Sequence, residues 1–233
     1  APPYREDVEG YPDLAEEVIR MYGYEHVVPA LLKDAKITAG GYTKEQKDEL
    51  KMKRVLVEQG YNEVMTYSFY SKKDLAALDL REDDEEGKVI IIENPISDNY
   101  EVMRRTLIPS LLGVVSRNVK KGNTAGRIFE LARTYIPKNL PVDDFPTERK
   151  HLCVAVFGEN EDFFTLKGVL AEIEDNFRVK FNLGVRADKT YLHPGVSAKI
   201  LLNGKEIGVY GQVTYETCAK FDLECKVYVL ELD

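Results

Sequence analysis

Asn94–Tyr135 reads NPISDNYEVMRRTLIPSLLGVVSRNVKKGNTAGRIFELARTY, and the punctuation of this run sets the fold. The apolar stretch Val89–Ile92 feeds it as a strand and stops at the Asn94-Pro95 turn. Beyond the Arg104-Arg105 pair, Pro109 sits where a helix opens, because its missing N–H is no loss in a first turn. Leu111, Leu112, Val115 and Val119 then recur on one face until Gly122 ends the pattern, which predicts an amphipathic helix lying on a sheet. Arg127–Tyr135 follows as a second strand.

Toward the C-terminus, three prolines among charges mark 136–150 as an excursion before a strand resumes over His151–Phe157. Asp162 is placed to cap a helix over Phe163–Phe177. The sharpest local signal is Ser197–Leu202, Asn203-Gly204, Lys205–Val213: Asn-Gly accepts the positive φ angles of a type I′ turn, so these strands form a hairpin. Lys226–Leu232 alternates as a last strand. Hairpins mixed with helices predict an α+β fold, an antiparallel sheet flanked by helices.

Toward the N-terminus, Val64, Thr66 and Ser68 alternate as a strand, and Ser71 caps a helix over Lys72–Leu78. The acidic run 81–86 reads as a solvated loop. Thr43 with Gln46 three residues on forms a capping box for a long helix reaching Gly60. Before it, Asp13–Tyr22 reads as a short helix with Leu14 and Val18 on one face and Gly23 as its stop. A linker near 30–41 separates this segment from the rest. Residues 1–35 therefore read as the tail of a preceding domain and 36–233 as one core module.

The 233 residues, 44% of them apolar, suffice for one large core. The net charge of -8 disfavours wrapping a phosphate backbone wholesale and leaves only local contact with nucleic acid. Cys153, Cys218 and Cys225 form neither a C-x-x-C pair nor a disulfide framework, which fits reduced thiols and a cytoplasmic location. No apolar run approaches the roughly 20 residues of a membrane-spanning helix, and no signal-peptide pattern opens the chain. Beginning at Ala1 in structured-looking sequence, the chain reads as a piece of a longer protein.

Few residues suggest chemistry. Asp7, Asp13, Glu16 and Glu17 offer hard oxygen ligands of the kind magnesium takes, with Asp13 and Glu17 at i and i+4. The competing reading makes Asp13 and Glu16 helix-capping and dipole-complementing groups. Lys44, Lys47, Lys51 and Arg54 share a stripe, but interspersed acids mark a solvated face. His26, His151 and His193 lie in no catalytic pattern, with His193 read as a loop residue. Arg104, Arg105, Arg127 and Arg133 read as surface ion-pair formers flanking strands, and Phe163-Phe164 as core.

Seven segments resemble, in order, the β subunit of bacterial phenylalanine tRNA ligase. They are PYREDVEGYPDLAEEVIRMYGYEHV from Pro3, QGYNEVMTYSF, ENPISDNYEVMRRTLIPSLL, RIFELARTY, DFFTLKGVL, YLHPGVSAKI and IGVYGQV. The resemblance implies the end of an accessory domain followed by a class II synthetase-like core. It also implies assembly as two α and two β subunits that join phenylalanine to tRNA using ATP and magnesium. In that family the α subunit binds ATP and does the chemistry, and the β core packs against it. Two departures from active class II enzymes fit that division. The strand Phe129–Tyr135 continues into Ile136-Pro137 where an arginine contacts the α-phosphate, and KVYVLELD lacks the late glycine-arginine motif. Ala132 also replaces the family's usual glycine. The D-x5-D-x2-E-E pattern matches the family's magnesium ligands at Asp7, Asp13, Glu16 and Glu17. A free-standing metal-dependent enzyme using that cluster and a tRNA-binding module are the competing readings; neither membrane nor DNA is an expected partner.

Overall fold

The computed structural model describes residues 2–33, 39–81, 84 and 86–233. The acidic-loop reading at 81–86, and the linker with the boundary at 35/36, fall in large part on residues outside this set. The chain divides into two compact units, 1–41 and 42–233.

In the first unit, helix α1 (Tyr11–Tyr22) starts two residues earlier than the sequence suggests. Gly10 is the N-cap, and Asp13, three residues on, accepts from its N–H at 2.8 Å. Asp13 therefore closes the first turn from inside it. Gly23, at φ 120°, ends the helix, and a 3-10 turn (Tyr24–His26) follows. No residue of α1 is buried; Leu14, Val18, Met21 and Tyr22 form an exposed apolar stripe.

The second unit opens with α2 (Lys44–Glu58), held by the Thr43–Gln46 box, and includes α3 (Lys72–Ala77), held by the Ser71–Asp74 box. Its strands are β1 (Asn62–Glu63), β2 (Phe69–Tyr70), β3 (Val102–Met103), β4 (Gly126–Ile136), β5 (Thr147–Phe157), β6 (Phe181–Asn182), β7 (Leu192–Leu202), β8 (Lys205–Val213) and β9 (Val227–Leu232). Its remaining α-helices are α4 (Ile108–Lys120), α5 (Phe163–Phe177, capped by Asp162) and α6 (Tyr215–Lys220, capped by Thr214). Seven strands form one sheet in the order β1-β4-β5-β9-β8-β7-β6, antiparallel except for the β1–β4 pair. The mixed α+β architecture with a large antiparallel sheet is as the sequence indicates. Asn203 and Gly204 take φ of 52° and 80°, as the β7–β8 turn requires.

Alternation along the central strands sorts two cores. Cys153, Ala155 and Phe157 of β5 and Val227 and Val229 of β9 face α4, whose Ile108, Leu111, Leu112 and Val115 are fully buried. The opposite phase, with Val154 and Val156 of β5 and Tyr228 and Leu230 of β9, packs under Leu56 of α2 and Leu166, Val169 and Leu170 of α5. Each large aliphatic side chain buried in these layers contributes about 1.5–3 kcal/mol. Close approach of β8 to β9 excludes a side chain at one point: a Cβ on Gly208 would lie 2.1 Å from the Glu231 carbonyl oxygen.

Several local expectations fail for identifiable reasons. Val89–Ile92 forms only a bridge, Ile91 with Val102, because β3 is two residues long and offers no further partner along that edge. Residues 64–68 do not continue β1. Val64 donates to the Phe129 carbonyl, but the Thr66 N–H and the Thr66 and Tyr67 carbonyls are bound by side chains instead of a ladder. His193 lies in β7, not a loop, and its Nδ1 accepts from the Gly195 N–H. Phe163 stacks on Tyr210 at 4.5 Å, whereas Phe164 is 68% exposed and not core. Among the solvated-face cations, Lys51 also reaches the Asn176 carbonyl and sits over the Phe177 ring at 4.8 Å.

Candidate functional site

Two regions could carry chemistry: the α4-facing side of the sheet near β9, and the N-terminal acidic cluster. The first is organised by residues that leave apolar layers where a charge should not be. Along β9 the phase Val227, Val229, Glu231 points at α4, so Glu231 arrives under that helix's N-terminus. Its Oε1 accepts from the Leu107 N–H at 2.8 Å and from His151 Nδ1 at 3.0 Å. Its Oε2 accepts from the Thr106 hydroxyl at 2.5 Å. Leu107 is the N-cap of α4 and has no side-chain oxygen, so Glu231 supplies the cap across the fold.

Around this network lies a cleft of about 300 Å³, lined also by Arg105, Ile136, Lys189, Tyr191, Glu206 and Asp233. Ile136, the apolar residue met where β4 runs out, lines it directly. Glu86, Glu206, Glu231 and Asp233 bring four carboxylates against the cations of Arg105 and Lys189, and most are already engaged. Lys189 pairs with Glu86, Glu206 with Lys199 at 2.9 Å, and Asp233 with Arg149. Burial raises the Tyr191 phenol far above its ordinary pKa, so it stays neutral. A polyphosphate entering here would meet excess negative charge and few unoccupied donors.

Beside the cleft, Arg104 is buried, contrary to its reading as a surface ion-pair former. It meets Glu130 at 3.0 Å, with both side chains about 5% exposed or less. Its Nε donates to the Arg133 carbonyl at 2.8 Å, and its Nη1 reaches the Tyr67 carbonyl at 3.2 Å. Glu130 in turn takes the Thr66 N–H and hydroxyl at 3.1 and 2.7 Å. The pair staples the irregular 64–68 segment to β4. Arg127 and Arg133 do form ion pairs, with Glu161 and Glu148, both at 2.7 Å. The backbone N–H of Arg105 donates to the Tyr70 hydroxyl.

In the first unit two of the four acidic candidates, Asp7 and Glu17, are arranged around an arginine. The Arg5 guanidinium meets Asp7 at 2.7 Å and Glu17 at 2.8 Å, and Arg20 takes the other Glu17 oxygen at 2.5 Å. Hydrogen bonds from Arg5 hold Asp7 below the usual carboxylate range, and those from Arg5 and Arg20 do the same for Glu17. Asp13 accepts the Glu9 and Gly10 N–H groups. Glu16 is exposed. As arranged, the cluster fits a guanidinium. Among the described residues no group of three or more His, Cys, Asp or Glu stands in metal-binding geometry. Nor is any described helix long and apolar enough to cross a membrane. All three cysteines are free thiols, and burial raises Cys218 to about 11.

Arg104, Glu130 and Glu231 were the functional-region residues that sequence reasoning missed or misplaced. For Glu231 a signal existed: it is an acid in the inward phase of an otherwise apolar strand.

A seven-stranded, largely antiparallel sheet with helices on both faces is similar in fold to solved aminoacyl-tRNA synthetases. A crystal structure of pyrrolysyl-tRNA synthetase from Desulfitobacterium hafniense is similar over 80% of this chain and 65% of its own, with a TM-score of 0.65. A second structure of the same organism's enzyme, PylSc, is similar over 94% of this chain and 70% of its own, again at 0.65. Their identities to this chain, 18% and 14%, carry the likeness of fold alone.

The chain itself belongs to the family described as phenylalanyl tRNA synthetase beta chain CLM domain, whose model matches residues 28–233. The phenylalanine–tRNA ligase beta subunits of Clostridium tetani and Geobacter metallireducens are 30% and 34% identical to it over 235 and 245 residues. All of this chain is covered in both alignments. It spans about 30% of the length of these curated relatives.

Proposed function

We propose that this chain is the noncatalytic core of a phenylalanine tRNA ligase β subunit, scaffolding a catalytic α subunit that binds ATP and charges tRNA. On this reading residues 36–233 are a class II synthetase-like module without activity of its own, and residues 1–35 close the preceding accessory domain. The assembly is two α and two β subunits in the cytoplasm, using ATP and magnesium. The observation that carries the reading is the Glu231 network. Where a catalyst needs preorganised cations around a dry phosphate site, this cleft holds a carboxylate locked to Thr106, Leu107 and His151, with Ile136 on its wall.

Asp7, Asp13, Glu16 and Glu17 are assigned as the magnesium ligands of the intact subunit, and ligation there requires Arg5 to release Asp7 and both Arg5 and Arg20 to release Glu17. When bound, the ion would supply charge neutralisation and rigidity to that unit. Calorimetric titration of magnesium into the intact subunit tests this: an isotherm unchanged in the Asp13→Ala, Glu17→Ala double variant contradicts it. The scaffold reading is tested by coexpressing the full-length β subunit with its α partner. Coelution on size exclusion is expected, and separate elution of two folded subunits contradicts it.

A further inference from the structure

We propose that the cavity between the end of α4, the turn into β4, the turn out of β5 and the start of β9 binds a small organic amine, its ammonium on Glu161 and its apolar body against Tyr228. The cavity measures about 940 Å³ and lies wholly within the second unit. Val119, Ala125, Cys225 and Tyr228 give it apolar wall, and Glu159, Glu161, Asp162 and Lys226 bring charge to it. A concave space of this size, apolar with a few convergent polar groups, is the usual form of a small-molecule site. Its walls are held by the fold. A Cβ on Gly158 would lie 2.6 Å from that of Ala125, so a glycine is needed for the turn out of β5 to rest against the turn into β4.

Glu161 supplies the feature that calls for a ligand. Its side chain is 10% exposed, and Arg127 Nε donates to its Oε1 at 2.7 Å. Its Oε2 is buried and accepts from no donor in the chain. The cap of α5 is made by the neighbouring Asp162, which leaves that oxygen no structural task. A buried polar atom left unpaired carries its full desolvation cost, and a carboxylate oxygen carries more than a neutral acceptor, so a donor entering the cavity gains what the fold has left unmade.

Charge selects the ligand. Glu159, Glu161 and Asp162 stand against Lys226 and the Arg127 paired to Glu161, three carboxylates to two cations. One ammonium balances the set, whereas an anion would add to the excess. Among the described residues no group of three or more His, Cys, Asp or Glu stands in metal-binding geometry, which favours an organic cation over a metal ion. The ammonium donates the hydrogen bond that Oε2 lacks, and a charge-assisted bond of this kind is about twice as strong as a neutral one. The carbon chain then lies along Tyr228, itself 6% exposed, and removes apolar wall from water.

Calorimetric titration of butylamine hydrochloride into the full-length protein tests the site, with 1-butanol as the uncharged probe of the same shape. Saturable binding of butylamine is expected, with butanol weaker by about tenfold or more. Glu161→Gln should weaken butylamine binding by about tenfold or more, and Lys226→Glu, at an exposed position, should tighten it about threefold. If Glu161→Gln fails to fold, Lys226→Glu still decides: an affinity equal to wild type there overturns the proposal. No saturable binding to wild type would leave Oε2 to a water molecule and overturn it as well. Equal affinities for butanol and butylamine would do the same, since the cavity would then take an apolar body alone. Failure on any of these counts leaves the subunit reading intact, because none of the readouts involves a second subunit.

Discussion

Replacing Glu231 by alanine separates a structural carboxylate from a substrate-binding one. The residue is 7% exposed, and its side chain accepts three hydrogen bonds, from the Leu107 N–H, the Thr106 hydroxyl and His151. Hydrogen bonds to a charged group contribute about 1.5–3 kcal/mol each, and a buried donor left unpaired costs about 1–3 kcal/mol. The adjoining cleft lets water reach part of the vacated space, so the three do not add in full. Glu231→Ala is therefore expected to destabilise the chain by about 2–4 kcal/mol. Glu231→Gln keeps one acceptor oxygen for Leu107 and should lose about half as much. Urea unfolding measures the change, and hydrogen exchange at the Leu107 amide localises it: exchange should quicken at the start of α4 before the rest of the helix. An unfolding free energy within about 0.5 kcal/mol of wild type, with Leu107 exchange unaltered, would show that Glu231 does not hold the start of α4.

The Arg104–Glu130 pair should behave as a buried ion pair: Arg104→Met alone costs about 3–5 kcal/mol by stranding Glu130, and adding Glu130→Leu recovers part of that loss in the same denaturation experiment. Arg5→Ala should raise the titration of Asp7 and Glu17 toward their ordinary values of 3.8 and 4.5, read by NMR of the carboxyl carbons. Because both are depressed in the folded chain, their contribution is complete above those ordinary values and fades as pH falls through the lowered ones; in Arg5→Ala that dependence should shrink to the part of Glu17 that Arg20 still holds.

Much of this fold is legible in the sequence because its signals are local and agree with one another. The Thr43, Ser71 and Asp162 caps, the Pro109 helix start and the Asn203-Gly204 turn each specify a few dihedral angles without help from distant residues. The failures share a cause of the opposite kind. Residues 64–68 alternate like a strand, but their backbone groups are taken by Arg104 and Glu130, tens of residues away in the chain. Arg104 looked like surface because a buried arginine is rare without a buried partner, and its partner sits on another strand. In the cleft, the apolar residue after Tyr135 was readable in advance, and Ile136 lines the wall. What fills the space was not, since the role of Glu231 emerges only when β9 is laid beneath α4. The acidic cluster shows the same limit: the four carboxylates were evident, while the claim of Arg5 on two of them required coordinates.

If the synthetase-like core has no activating chemistry of its own, phenylalanine-dependent exchange of pyrophosphate into ATP, measured on the purified full-length β subunit with and without its α partner, will show it. Exchange should appear only when the α subunit is present. Robust exchange by the β subunit alone would contradict it.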